Sequence, residues 1–276
     1  MDNLLRKNQG ITLIELLVAL VISGVVVGAV YRTFIGQQKT FTVQEQVVDM
    51  QQNVRAGIGR MMREIRMAGF GNVAMVLPGV TVNGKTFNNV VNPNVPAAGA
   101  VTILSGMGSA TITAVPASNQ ITVSSLTDSQ GNTLFDKGNK KYVSIGGVES
   151  YTITDIIGNT LTLSGNLTYS HPVGTPVFGI RAISFQVGSV NGIQTLLRDE
   201  NTGAGWQPLL DNIENLQFTY LDLNGNPTAN PPDIRIVRVT LRATTNTSDP
   251  DYKTDGGYRK REIASNVHLK NMGLEL

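Results

Sequence analysis

Few residues in this chain are equipped for chemistry, and their spacing narrows what that chemistry is. The 276 residues include no cysteine and two histidines, His171 and His268. Thiolate nucleophiles, disulfides and cysteine metal sites are therefore excluded. Neither histidine stands at motif spacing from a nucleophile and an orienting acid. No glycine-rich loop carries the lysine of a phosphate cradle. No catalytic residue is assigned, and the chain is not expected to be an enzyme. The best cation candidate is Asp222-Leu-Asn224-Gly225-Asn226, with oxygen donors on Asp222, Asn224 and Asn226 as in calcium loops. No acidic residue follows at EF-hand distance, and the same residues also spell an Asx/Gly turn closing a hairpin. Calcium there stays an open alternative to the expectation of no cofactor. Asp249, Asp251 and Asp255 form a second acidic loop. Arg259-Lys260-Arg261 and the group Lys137, Lys140 and Lys141 are short basic runs. Only Tyr142 and Tyr258 adjoin them, which is thin for a nucleic-acid surface.

The remaining candidate is Glu15, the one ionisable side chain between Ile11 and Tyr31. At ~1.5 Å per residue this run crosses a hydrocarbon core of ~30 Å. It is longer than the apolar region of a secretory signal peptide, ~7–15 residues. Arg6 and Lys7 precede it and Arg32 follows, which places the leader in the cytoplasm and the rest outside. A carboxylate at that depth is costly and requires a partner. Cleavage after Gly10 would make Glu15 the fifth residue and supply an α-amino group as a counter-ion. Gly24 and Gly28 form a small-xxx-small pair that admits a close helix neighbour. Glycine is also simply common in membrane helices.

The elements that position these residues follow from periodicity. Phe34, Phe41, Val47 or Val48, Val54, Ile58, Met61 or Met62 and Ile65 recur at three- and four-residue spacing, an amphipathic continuation of the same helix. It is expected to run to about Met67 and to stop at Gly69-Phe-Gly71. A helix of some fifty residues, on the order of 80 Å, suits a filament core better than a globular domain. Arg55, Arg60, Arg63 and Arg66 make its end basic. This reads either as a solvated face that suits the helix dipole or as a contact to an acidic neighbour. Beyond it, Asn72 to about Ala100 reads as loop. Short alternating runs then follow to Leu269, with Gly/Asn turns such as Ile157-Gly-Asn-Thr-Leu161, and predict antiparallel strands. With 22 Lys+Arg against 20 Asp+Glu, overall charge points to no polyanionic partner.

Gly10-Ile-Thr-Leu-Ile-Glu15 resembles the processing site of type IV prepilins and type II secretion pseudopilins. The resemblance implies cleavage between Gly10 and Ile11, N-methylation of Ile11, and an assembly role for Glu15 in docking a new subunit. Ile11 stands where phenylalanine is most common. Met62-Arg-Glu-Ile-Arg66-Met-Ala-Gly69-Phe-Gly, together with the order of the last three strands, resembles the PilW-like minor pilins. Lys270 replaces an arginine of that pattern, and residues 73–177 carry no matching motif and read as a variable insert. The implied fold is α+β, a long pilin-type helix packed on a predominantly antiparallel β domain. The implied parts are a leader (1–10), a transmembrane and filament-core half-helix (11–31), an amphipathic half-helix (32–68) and an exported β-rich domain (72–276). The implied partners are other minor and major pilins, the prepilin peptidase/methyltransferase and an inner-membrane assembly platform. The implied location is the bacterial inner membrane with a periplasmic C-terminal domain, then the pilus or its tip. A J-type pseudopilin and a pilin-anchored adhesin or DNA-binding module are the alternatives to a priming minor pilin.

Overall fold

The computed structural model describes residues 11–70, 80–83, 85–93 and 99–272. Helix α1 (Leu13–Arg66) opens the described chain with 54 residues. The chain divides into two compact units, the first ending at Asp49 and the second beginning at Met50.

In the first unit the apolar side chains of α1 are exposed, from Ile11 and Leu13 through Val30 and Phe34. This segment is long and apolar enough to cross a membrane. Three of its threonine hydroxyls bond back to the helix. Thr33, Thr40 and Thr42 donate to the carbonyls of Ala29, Gly36 and Gln38, four residues earlier. Such back-bonding to the preceding turn keeps these hydroxyls satisfied on the helix itself. The expected stripe is continuous in sequence, but Phe34, Phe41 and Val48 are exposed, and burial starts only at Met50.

In the second unit Met50, Val54, Gly57, Ile58, Met61 and Ile65 are buried. The helix lies on a sheet, and Gly57 allows the close approach. A Cβ built there would sit 3.0 Å from Leu210 and within 4 Å of Leu196 and Leu241. The end of α1 is held by the far end of the chain. The Asn271 side-chain amide donates to the carbonyl of Ala68 at 3.2 Å, and Gly69 takes φ +76°. That conformation favours glycine and matches the expected stop.

Three short strands lie where loop was expected: β1 (Val80–Val82), β2 (Lys85–Phe87) and β3 (Val91–Pro93). They are followed by β4 (Val101–Thr111), β5 (Gln120–Thr122), β6 (Tyr142–Ile145), β7 (Glu149–Ile157), β8 (Thr160–Leu163) and β9 (Pro176–Val190). The series continues with β10 (Ile193–Asp199), β11 (Gln207–Asp211), β12 (Ile213–Leu221), β13 (Ile236–Thr244) and β14 (Lys260–His268). Every described pairing is antiparallel. β12, β13 and β14 form one sheet, with Leu216 opposite Leu241 and Leu241 opposite Ile263. On β13, Val237, Val239, Leu241 and Ala243 are buried while Arg238 and Arg242 are exposed, an alternation that sets in after the buried Ile236 at the strand's start.

The largest sheet is organised by the 15-residue β9. One edge of β9 pairs with β4 from Pro176 to Phe185. The other edge pairs with β6 at Val177–Gly179 and with β10 from Ser184 onward. From β6 the sheet continues through β7 and β8 to β5. This arm has a core of its own, including Ile112, Ile121, Phe135, Val143, Ile145, Leu161 and Leu163. The segment that read as a motif-free insert is therefore a folded β module.

Candidate functional site

The N-terminal site is built on the first turn of α1. Thr12 caps the helix, and its side-chain oxygen accepts from the backbone N–H of Glu15 at 3.3 Å. Glu15 reaches back, accepting from the N–H of Thr12 at 2.9 Å and from its hydroxyl at 2.9 Å. This is a capping box, reciprocal in both partners. The costly carboxylate thus has a local partner and also sits at the positive end of the helix dipole. Thr12 was not singled out in the sequence, although Thr-x-x-Glu was there to find. Ile11 is exposed, and Gly10 lies outside the described residues. Gly24 and Gly28 face open space, with nothing within 4 Å of a built Cβ.

The cation candidate closes on itself. One oxygen of Asp222 accepts from the backbone N–H of Asn224 at 2.9 Å and of Asn226 at 2.8 Å. The other accepts from the Asn226 side chain at 3.3 Å. The Asn226 and Asn224 amides hold this carboxyl below its ordinary range. The geometry is that of an Asx turn. Among the described residues no three His, Cys, Asp or Glu side chains converge on a common point. In the second acidic loop, Asp249 is engaged by Arg259 at 2.8 Å, and that guanidinium stacks over Tyr252. Lys260 pairs with Glu214 and Asp255, and Lys137 with Asp155. Arg259, Lys260 and Lys137 of the basic runs are thus matched by acids, while Lys140 donates to the Thr133 carbonyl and Lys141 lies over the Tyr142 ring.

Two clusters escaped sequence reasoning. Glu64 on α1 takes Arg181 of β9 on one oxygen and Arg198 of β10 on the other, each at 3.1 Å. Arg198 is buried and also meets Glu200. This clamp ties the end of the helix to the large sheet. The partners lie more than a hundred residues apart in sequence, so no spacing signals them. The second cluster joins the buried His171 to the half-buried Glu149. Glu149 also accepts from the Tyr151 hydroxyl at 2.7 Å and the N–H of Thr168 at 2.9 Å. Burial pushes the Glu149 carboxyl up, but the bonds from His171, Tyr151 and the loop amides outweigh it and leave it below the ordinary range. The cluster pins the loop between β8 and β9 to β7. His268 lies exposed on β14, away from this pair.

Residues 5–31 match the family model of the prokaryotic N-terminal methylation motif. Among solved structures, a type IV-like pilin from Thermus thermophilus is similar at 10% identity and a TM-score of 0.37, covering 80% of this chain and 97% of its own. So distant a likeness carries no functional weight. No curated protein gives a match.

Proposed function

From a type IV pilin-like chain, with its methylation motif on a long apolar helix ahead of an antiparallel β domain, we propose a minor pilin that helps to prime type IV pilus assembly. It acts at or near the filament tip, by packing and not by catalysis. The observation that carries this reading is the bare apolar length of α1. Its large side chains from Ile11 to Phe34 are exposed among the described residues. A surface of that extent requires lipid before assembly and other helices after it.

In this reading the leader stays inside, the peptidase/methyltransferase cuts after Gly10, and Ile11 becomes the methylated terminus. Glu15, released from Thr12 by a neighbour's ammonium, sets the register of the incoming subunit. Gly24 and Gly28 are the points of close helix approach. The domain waits on the periplasmic side of the inner membrane until the assembly platform and the other pilins take the subunit up.

The test is the number of surface pili, counted by electron microscopy in a deletion strain and its complemented parent with retraction intact. Loss of pili, restored by the wild-type gene, is expected. Normal pilus numbers would refute the priming role and shift the reading to a J-type secretion pseudopilin or a dispensable adhesin.

A further inference from the structure

The last turns of α1 carry a charge pattern that the packing of this chain leaves unexplained. On a projection at ~100° per residue, the buried residues Met50, Val54, Ile58, Met61 and Ile65 occupy one side. Arg55, Arg60, Arg63 and Arg66 occupy the other, and all four are exposed. None of these arginines has an acidic partner among the described residues. The one acid in this stretch, Glu64, is turned to Arg181 and Arg198 of the sheet. Arg60 and Arg63, like Arg63 and Arg66, stand three residues apart, where like charges repel. The helix dipole favours cations only in the last turn, which accounts for Arg63 and Arg66 but not for Arg55 and Arg60.

A second observation concerns Gly59, at the centre of this face. Glycine inside a helix costs about 1 kcal/mol relative to alanine. At Gly57 that cost secures contact with Leu210. At Gly59 the described residues supply no such contact. Among the described residues, the one atom within 4 Å of a built Cβ belongs to the Arg63 guanidinium, 3.9 Å away. The face is thus flat at its middle and positive at its rim.

We propose that this arginine face docks a carboxylate-bearing helix of a neighbouring pilin-like subunit. The proposal rests on the assembly role inferred above. The missing counter-charge defines the chemistry of the partner, and the low profile at Gly59 admits a helix at close range. A polyanionic nucleic acid fits less well. The segment from Arg55 to Arg66 has no aromatic residue to stack a base. The nearby cations Arg181 and Arg198 are already paired.

The experiment uses the full chain in the membranes of cells that make it with its sister pilins. Arg60→Lys and Arg63→Lys keep the charge and add amines that a water-soluble carbodiimide couples to any carboxylate in ion-pair contact. Mass spectrometry then reads the joined residues. The expected product links position 60 or 63 to an Asp or Glu in the helix of another pilin, and is absent from Arg60→Gln/Arg63→Gln. Arg60→Glu/Arg63→Glu should reduce co-purification with sister pilins by about tenfold, with thermal unfolding unchanged. Full co-purification without such a link would overturn the docking face while the assembly role stands. Loss of the partner on nuclease treatment would replace it with a nucleic acid. Failure of the wild-type chain to co-purify with any pilin would remove the assembly role, and the docking face with it.

Discussion

Replacing Glu64 tests the clamp that holds α1 to the large sheet. The Glu64 side chain is 13% exposed and that of Arg198 10%, so Glu64→Ala would strand a largely buried guanidinium. Breaking a buried ion pair costs about 3–5 kcal/mol. Two features argue for the lower end. Arg181 is 31% exposed and can turn to water, and Arg198 keeps Glu200. The expected loss is therefore about 3 kcal/mol. Glu64→Gln keeps a hydrogen-bond acceptor and should lose about 1–2 kcal/mol. Removing both buried charges together, in Glu64→Met/Arg198→Met, should return stability to within about 1 kcal/mol of wild type, because neither partner then pays desolvation. Urea unfolding of the detergent-solubilised chain reads all of these. Trp206, the one tryptophan, lies between β10 and β11 and serves as the probe. A Glu64→Ala stability within about 0.5 kcal/mol of wild type would refute the reasoning. So would a double variant as unstable as the sum of its singles.

Glu149 gives the pH dependence. Its folded carboxyl titrates below its unfolded value, so its stabilisation is complete above the unfolded value and is lost as pH falls through the folded one. Wild type should lose stability on acidification below about pH 4 more steeply than Glu149→Gln, and hydrogen exchange in residues 166–175 should rise with it. Equal acid slopes would remove Glu149 as the cause. Gly69→Ala must place a Cβ at φ +76° and 3.0 Å from the Asn271 carbonyl. A loss of about 1–2 kcal/mol is expected in thermal or urea unfolding, and an unchanged midpoint would contradict the assigned turn. Calorimetry with millimolar calcium should show neither heat nor stabilisation, because the Asp222 oxygens serve their own loop. A saturable heat lost in Asp222→Ala would reverse that conclusion.

What the sequence made legible was local. The helix and its stop at Gly69 followed from spacing and from one residue suited to positive φ. The hairpin at Gly158–Asn159 followed from turn chemistry: Ile157 pairs with Thr160, and Gly158 takes φ +57°. Alternation gave β13 with its buried and exposed faces. The misses are where neighbours distant in sequence decide. β1 to β3 are three-residue strands with no period to read. β11 contains Pro208 and is half exposed, which obscures its pattern. The clamp at Glu64 and the pair at Glu149 need residues brought together by the fold, so no spacing along the chain signals either.

β9 has a mechanical consequence. It hydrogen-bonds to β4 along one edge, while β6 and β10 sit end to end along the other. A tensile load entering the domain through β10 and leaving through the β6 arm would pass lengthwise down β9. The β10 and β6 ladders along that edge would carry it in shear, with their bonds strained together and not peeled one at a time. The β6 ladder at Val177–Gly179 is the shorter of the two, so under such a load the arms would part there while β9 itself stays whole.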